Sequence, residues 1–111
     1  MKIFFNDPFY VLDKIFRELY PDKDYIAQLA PRIEGENGEE VFGETCFPES
    51  GLPVITISTC LTINDAIEVF AHELAHIAAT LEVGHGAVWD EIETELQERF
   101  NEYFSRKENE K

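Results

Sequence analysis

His72, His76 and His85 are the only histidines in the chain. They fall in one run, His72-Glu73-Leu74-Ala75-His76-Ile77-Ala78-Ala79-Thr80-Leu81-Glu82-Val83-Gly84-His85. The first five residues spell H-E-x-x-H, the pattern with which a helix presents two imidazoles to a zinc ion. A catalytic zinc takes three protein ligands and keeps a fourth position for water. His72, His76 and His85 could supply the three ligands, and Glu73 the base. Residues four apart on a helix lie about 40° apart on one face and one turn above each other, so His72 and His76 can aim at one ion. Glu73 points beside them. It is placed to take a proton from a zinc-bound water, whose pKa falls to about 7, as that water attacks a carbonyl.

The surrounding residues describe the helix this requires. With His72 set at zero, Ile63, Ile67, Phe70, Leu74, Ile77, Ala78 and Leu81 fall between roughly 140° and 260°, opposite the two histidines. Thr62-Ile63-Asn64-Asp65 fits a capping box, so the helix should begin near Ile63. Gly84 is the residue expected to stop it. The third ligand has several contenders. The metzincin pattern is not met, because Ala79 and Glu82 stand where its glycine and histidine belong. Glu82 could bind only if the helix broke early. Glu91, Glu93 and Glu95 could offer a gluzincin-type carboxylate. His85 is preferred, since Gly84 and Gly86 let the backbone fold back sharply and imidazole suits zinc.

His72-Glu73-Leu74-Ala75-His76 followed by Gly84-His85-Gly86-Ala87-Val88-Trp89 resembles the SprT-like metallopeptidases, whose pattern is H-E-x-x-H, a short connection, then H-G-x-x-aromatic. Val54-Ile55-Thr56-Ile57-Ser58, then Leu61 and the helix, looks like that family's lead-in. The resemblance covers about residues 52–92. It implies zinc on His72, His76 and His85, Glu73 as general base, and a peptidase built from a small sheet packed on the active-site helix. Two features depart from the family. Cys46 and Cys60 are too few and too far apart for the C-terminal zinc ribbon that many members carry. The chain also lacks the basic surface of DNA-linked members, and its N-terminal half matches no motif.

A chain of 111 residues is long enough for one domain that buries roughly two-thirds of its unfolded surface. Nine Lys and Arg stand against 23 Asp and Glu, a formal charge of −14. That balance disfavours nucleic acid, which is bound through cationic side chains. It favours cationic partners or, more simply, a solvated acidic surface. No stretch is apolar enough to cross a membrane. Met1-Lys2-Ile3-Phe4-Phe5 starts like an export signal, but Asn6, Asp7 and Pro8 interrupt it. Cys46 and Cys60 therefore read as reduced thiols in a cytoplasmic setting, with a Cys46–Cys60 disulfide the lesser alternative.

The positioning elements follow in chain order. Asp7 and Pro8 start a helix carrying the stripe Val11, Leu12, Ile15, Phe16 and Leu19, and Pro21 ends it. Tyr25 to Ile33 reads as a strand, with Pro31 arguing for an edge or a bend. Gly35-Glu36-Asn37-Gly38 contains a hairpin signal, and Val41 to Phe47 would return. Pro48-Glu49-Ser50-Gly51 turns into a β-branched third strand, Val54 to Ser58. Ala87 to about Phe104 is a last helix, with Trp89, Ile92, Leu96, Phe100, Tyr103 and Phe104 as its core face. The expectation is a single α+β zincin-like domain over residues 1–111, with 106–111 frayed. A small antiparallel sheet of about three strands packs against the N-terminal helix, the H-E-x-x-H helix and the C-terminal helix. Val54–Ser58 is expected at a sheet edge beside the cleft, where an extended peptide could add to it.

Two functions fit. One is a zinc peptidase, more an endopeptidase than an exopeptidase, acting on protein or peptide, with Tyr25, Tyr103 or Arg99 as candidate oxyanion donors. The other is a non-catalytic acidic protein-interaction module with a structural zinc, closed by a fourth ligand such as Glu82 or Asp90.

Overall fold

A computed structural model of the chain describes residues 6–79 and 87–109. Helix α1 spans Pro8–Leu19 and starts as its sequence dictates: Asp7 accepts a hydrogen bond from the Phe9 N–H (2.9 Å), and Pro8 occupies the first turn, where no intrahelical donor is needed. Its Val11, Leu12 and Phe16 are buried. Five short strands follow: β1 (Ile26–Ala30), β2 (Ile33–Glu34), β3 (Glu40–Val41), β4 (Gly43–Cys46) and β5 (Val54–Ser58). Helices α2 (Ile63–Ala78) and α3 (Ala87–Asn109) complete the order. No helix among the described residues is long and apolar enough to cross a membrane.

The architecture is the expected α+β arrangement of three helices on a three-stranded sheet, but the sheet is mixed rather than antiparallel. Its order is β1-β5-β4. β5 runs parallel to β1, with Ile26 beside Val54 and Ala30 beside Ser58, and antiparallel to β4, with Gly43 beside Ile57 and Cys46 beside Val54. β1 ends at a bend on Pro31, whose ring fixes φ and turns the chain away from β5. The Asn-Gly turn then closes only the two-residue pair β2–β3, with Gly38 at φ 82°, and the chain crosses to the far side of β5 before pairing again.

β5 is therefore the central strand, not the expected edge. Ile55, Thr56, Ile57 and Ser58 are all buried, as a strand covered on both faces requires. Ile55 and Ile57 direct their main-chain groups at β1, and Val54, Thr56 and Ser58 direct theirs at β4. The free edge beside α2 belongs to β4.

The core forms where α1, α2 and α3 meet one sheet face. Leu12, Phe16, Ile55, Ile57, Leu74, Ile77 and Leu96 are essentially inaccessible. Each contributes about 1.5–3 kcal/mol of burial. Tyr25 joins them, edge-on to Phe16 and Phe70, and donates its hydroxyl to Asp13. Three boundaries differ from expectation. Ile63 is 65% exposed, lining an open hollow with Phe9, Phe100 and Phe104. α2 ends at Ala78, with Ala79 as its C-cap still bonded to the Ala75 carbonyl (3.0 Å), several residues before Gly84. α3 continues to Asn109, into the stretch expected to fray.

Candidate functional site

α2 positions the H-E-x-x-H residues. Its N-terminus is fixed by Thr62, whose hydroxyl accepts from the Asp65 N–H (3.1 Å), and Asp65 lies in the first turn, where the helix dipole favours an acid. The register set there carries Ile67, Phe70, Leu74 and Ile77 into the core and leaves His72 and His76 half-buried on another face. The two imidazole centroids lie 5.0 Å apart with the rings 77° to each other. Two imidazoles sharing a tetrahedral zinc, with Zn–N about 2.0–2.1 Å, have their ring centres about 5 Å apart. The spacing of the pair matches that of two rings on one ion.

Trp89, in the first turns of α3, walls this pair. Its ring stands edge-on to His72 at 4.6 Å and tilted against His76 at 5.6 Å. It is buried, as a core residue should be, and it also fixes the space available to both imidazoles. The tryptophan of the Gly84-to-Trp89 segment therefore returns to the histidines.

Glu73 is 7% exposed. A carboxylate taken from water is costly unless it is hydrogen-bonded. Thr45 on β4 supplies the bond, its Oγ1 donating to Glu73 Oε1 at 2.7 Å. Gly43 lets the strand come this close, since a Cβ there would collide with Val69 Cγ1 and stand 3.4 Å from Glu73 Oε2. Gly43, Glu68, Val69, His72, Glu73 and Glu93 line a cleft of ≈ 370 Å³. Of the described acids among the alternative ligands, Glu93 lines it, with Oε1 4.0 Å from His72 Nδ1 and accepting from Gln97 Nε2 (3.2 Å). Glu95 instead pairs with Arg99. Asp90 is exposed.

His85, the preferred third ligand, lies outside the described residues, as do Glu82 and Gly84. Among the described residues no three metal-ligating side chains converge. The early end of α2 meets the condition under which Glu82 could also reach the site. None of the three oxyanion candidates lines the cleft: Tyr25 is committed to Asp13 beneath α1, Arg99 pairs with Glu95, and Tyr103 packs on Phe104. Burial, then the Asp13 carboxylate, push the Tyr25 phenol far above its ordinary value. Cys46 and Cys60 are free thiols. Partial burial, then Glu44, push the Cys46 thiol up, which weakens it as a nucleophile.

Thr45, Gly43 and the contacts of Trp89 with the histidines were not readable as site features. Thr45 and Gly43 lie 28 and 30 positions before Glu73, and only the β4–α2 contact connects them. No protein-family profile, curated protein or solved structure matches the chain.

Proposed function

We propose that the protein is a small zinc-dependent peptidase that cleaves peptide bonds within proteins or peptides, with His72, His76 and His85 as ligands and Glu73 as general base. The observation that carries the reading is an imidazole pair at single-ion spacing on the same helix as a buried carboxylate that accepts from Thr45. Bound zinc would supply a water of pKa about 7 and polarise the scissile carbonyl. The chain's own residues then have separable tasks. Thr45 holds Oε1 of Glu73, the carboxylate that would take and return a proton. Gly43 admits β4 to the site. Trp89 limits the imidazoles to a narrow range of orientations. Glu93 stands near His72 Nδ1, the kind of carboxylate that steadies a ligand histidine through its other nitrogen.

β4 is the edge from which an extended peptide could be received. The Ser58 N–H donates to Phe42 O (3.0 Å), so Glu44 and Cys46 also face β5, and Gly43 and Thr45 turn their main-chain groups outward. Two free thiols suit a reducing, cytoplasmic compartment.

Metal analysis followed by digestion of an unbiased peptide library tests the reading. The expected result is one zinc per chain, weakened by His72→Ala, His76→Ala or His85→Ala, and turnover abolished by Glu73→Gln with zinc retained. Undiminished turnover in Glu73→Gln, or a metal-free native protein, would overturn it. Bound zinc without any turnover would favour the structural-zinc interaction module.

A further inference from the structure

We propose that β1 is a self-pairing edge, joining two copies of this chain antiparallel about a two-fold axis at Gln28. The proposal does not depend on the zinc reading. β1 is bonded to β5 on one side only. The Ile26 N–H donates to Pro53 O (2.9 Å), and Ala30 O accepts from the Thr59 N–H (2.9 Å). Ile26, Gln28 and Ala30 thus turn their main-chain groups inward, and by strand alternation Ala27 and Leu29 turn theirs outward. Among the described residues nothing pairs with that outer row.

The row is closed at both ends. The Tyr25 N–H already donates to Asp24 Oδ1 (2.8 Å), and Pro31 has no N–H to give. What remains is a donor and an acceptor on each of Ala27 and Leu29, placed symmetrically about Gln28. Such a pattern matches a second copy of itself when run antiparallel. Ala27 stands opposite Leu29 of the second copy and exchanges both bonds with it, and Leu29 does the same with Ala27.

The side chains obey the same axis. On the helix-bearing face Leu29, 62% exposed, meets Ala27 of the second copy, which lines a cavity of ≈ 440 Å³ beside Phe9, Tyr10 and Phe70. On the opposite face Ile26, 51% exposed, meets Ala30. Each apolar crossing sets a large residue against a small one. No residue of β1 is charged, whereas edges that must stay single are commonly guarded by charge, proline or a bulge. Charge lies just beyond the strand. Asp24, paired with Arg17, precedes the strand and Arg32, beside Glu34 and Glu40, follows the bend at Pro31; both are more than half exposed, and the axis brings the Asp24 end of one copy to the Arg32 end of the other. In a chain of net charge −14 most chance juxtapositions set acid on acid, and this one is attractive at both ends.

Sedimentation velocity from about 1 µM to about 1 mM, with circular dichroism as the folding control, tests the proposal on the full chain. The native protein is expected to dimerise in this range. Ala27→Pro removes an outward N–H and leaves the β5 ladder whole; it should weaken the dimer about tenfold or more. Leu29→Lys, at an exposed position, gives the same reading if the proline variant does not fold. Arg32→Asp and Asp24→Arg should each weaken self-association, and mixing the two should restore it as a heterodimer, because both end crossings regain opposite signs. A native protein that stays monomeric to about 1 mM would overturn the proposal. So would a dimer indifferent to both edge variants, or a mixture no tighter than its components.

Discussion

The two edges of the sheet differ in kind. β4 presents Gly43, Glu44, Thr45 and Cys46, short or polar residues drawn against α2 and tied to Glu73. β1 presents Ile-Ala-Gln-Leu-Ala, neutral and largely exposed, with its two large apolar side chains in solvent. Both edges are held by the same central strand, so the contrast is not one of burial within the sheet. It lies in what the side chains of each edge meet: on β4 a buried carboxylate that must be hydrogen-bonded, on β1 no partner strand among the described residues, with opposite charges at its two ends. The lesson is that an edge's side chains record its neighbour, and that a polar edge and an apolar edge of one sheet serve different partners.

The contrast can be broken most severely at Glu73. Glu73→Gln should lower kcat/KM by about 10²–10⁴ while zinc stays bound, and Leu29→Lys on the other edge should leave turnover untouched. Equal losses in peptide assays would mean that the edges are not functionally separate. Next comes Thr45→Val, which removes a donor to the carboxylate and should cost about 1.5–3 kcal/mol in stability or transition-state binding. Denaturant midpoints and kcat/KM together apportion that loss, and Gln28→Met, which removes a bond to Thr56, should cost no more than about 1 kcal/mol.

Gly43→Val should destabilise by about 1–3 kcal/mol through collision with Val69. Ala27→Val, on an open edge, should stay within about 0.5 kcal/mol; urea midpoints of the pair check the asymmetry. The smallest expected effect is electrostatic. The Arg17 guanidinium, then the Tyr25 N–H, hold the Asp24 carboxyl below its ordinary value. A depressed carboxyl contributes stability that is complete above its unfolded pKa of about 3.9 and is lost as pH falls through the lower folded value. Arg17→Gln should flatten that acid limb in melting curves recorded below about pH 4.

Much of the site was legible because its grammar is local. Thr62 and Asp65 set the start of α2, and the four-residue spacing of His72 and His76 put two rings at 5.0 Å. Asp7 and Pro8 likewise announced α1. Errors arose where distant segments compete. Val54–Ser58 is legible as a strand, but its β-branched run suits a half-buried edge and a fully buried centre alike, and only the pairing with β1 and β4 makes it the centre. Ile63 falls on the apolar stripe yet is exposed, at the rim of an open hollow that Phe9, Phe100 and Phe104 also line.

The sequence alone determined the helix that carries H-E-x-x-H, its phase against the core and the acidic balance of the surface, since capping, periodicity and charge act over a few residues. Tertiary structure alone decided that β5 is central, that Thr45 and Gly43 meet Glu73, and that Trp89 walls the histidines. Those outcomes depend on which of several compatible pairings buries the most surface while leaving no buried polar group without a bond, and that choice is made by the whole chain at once.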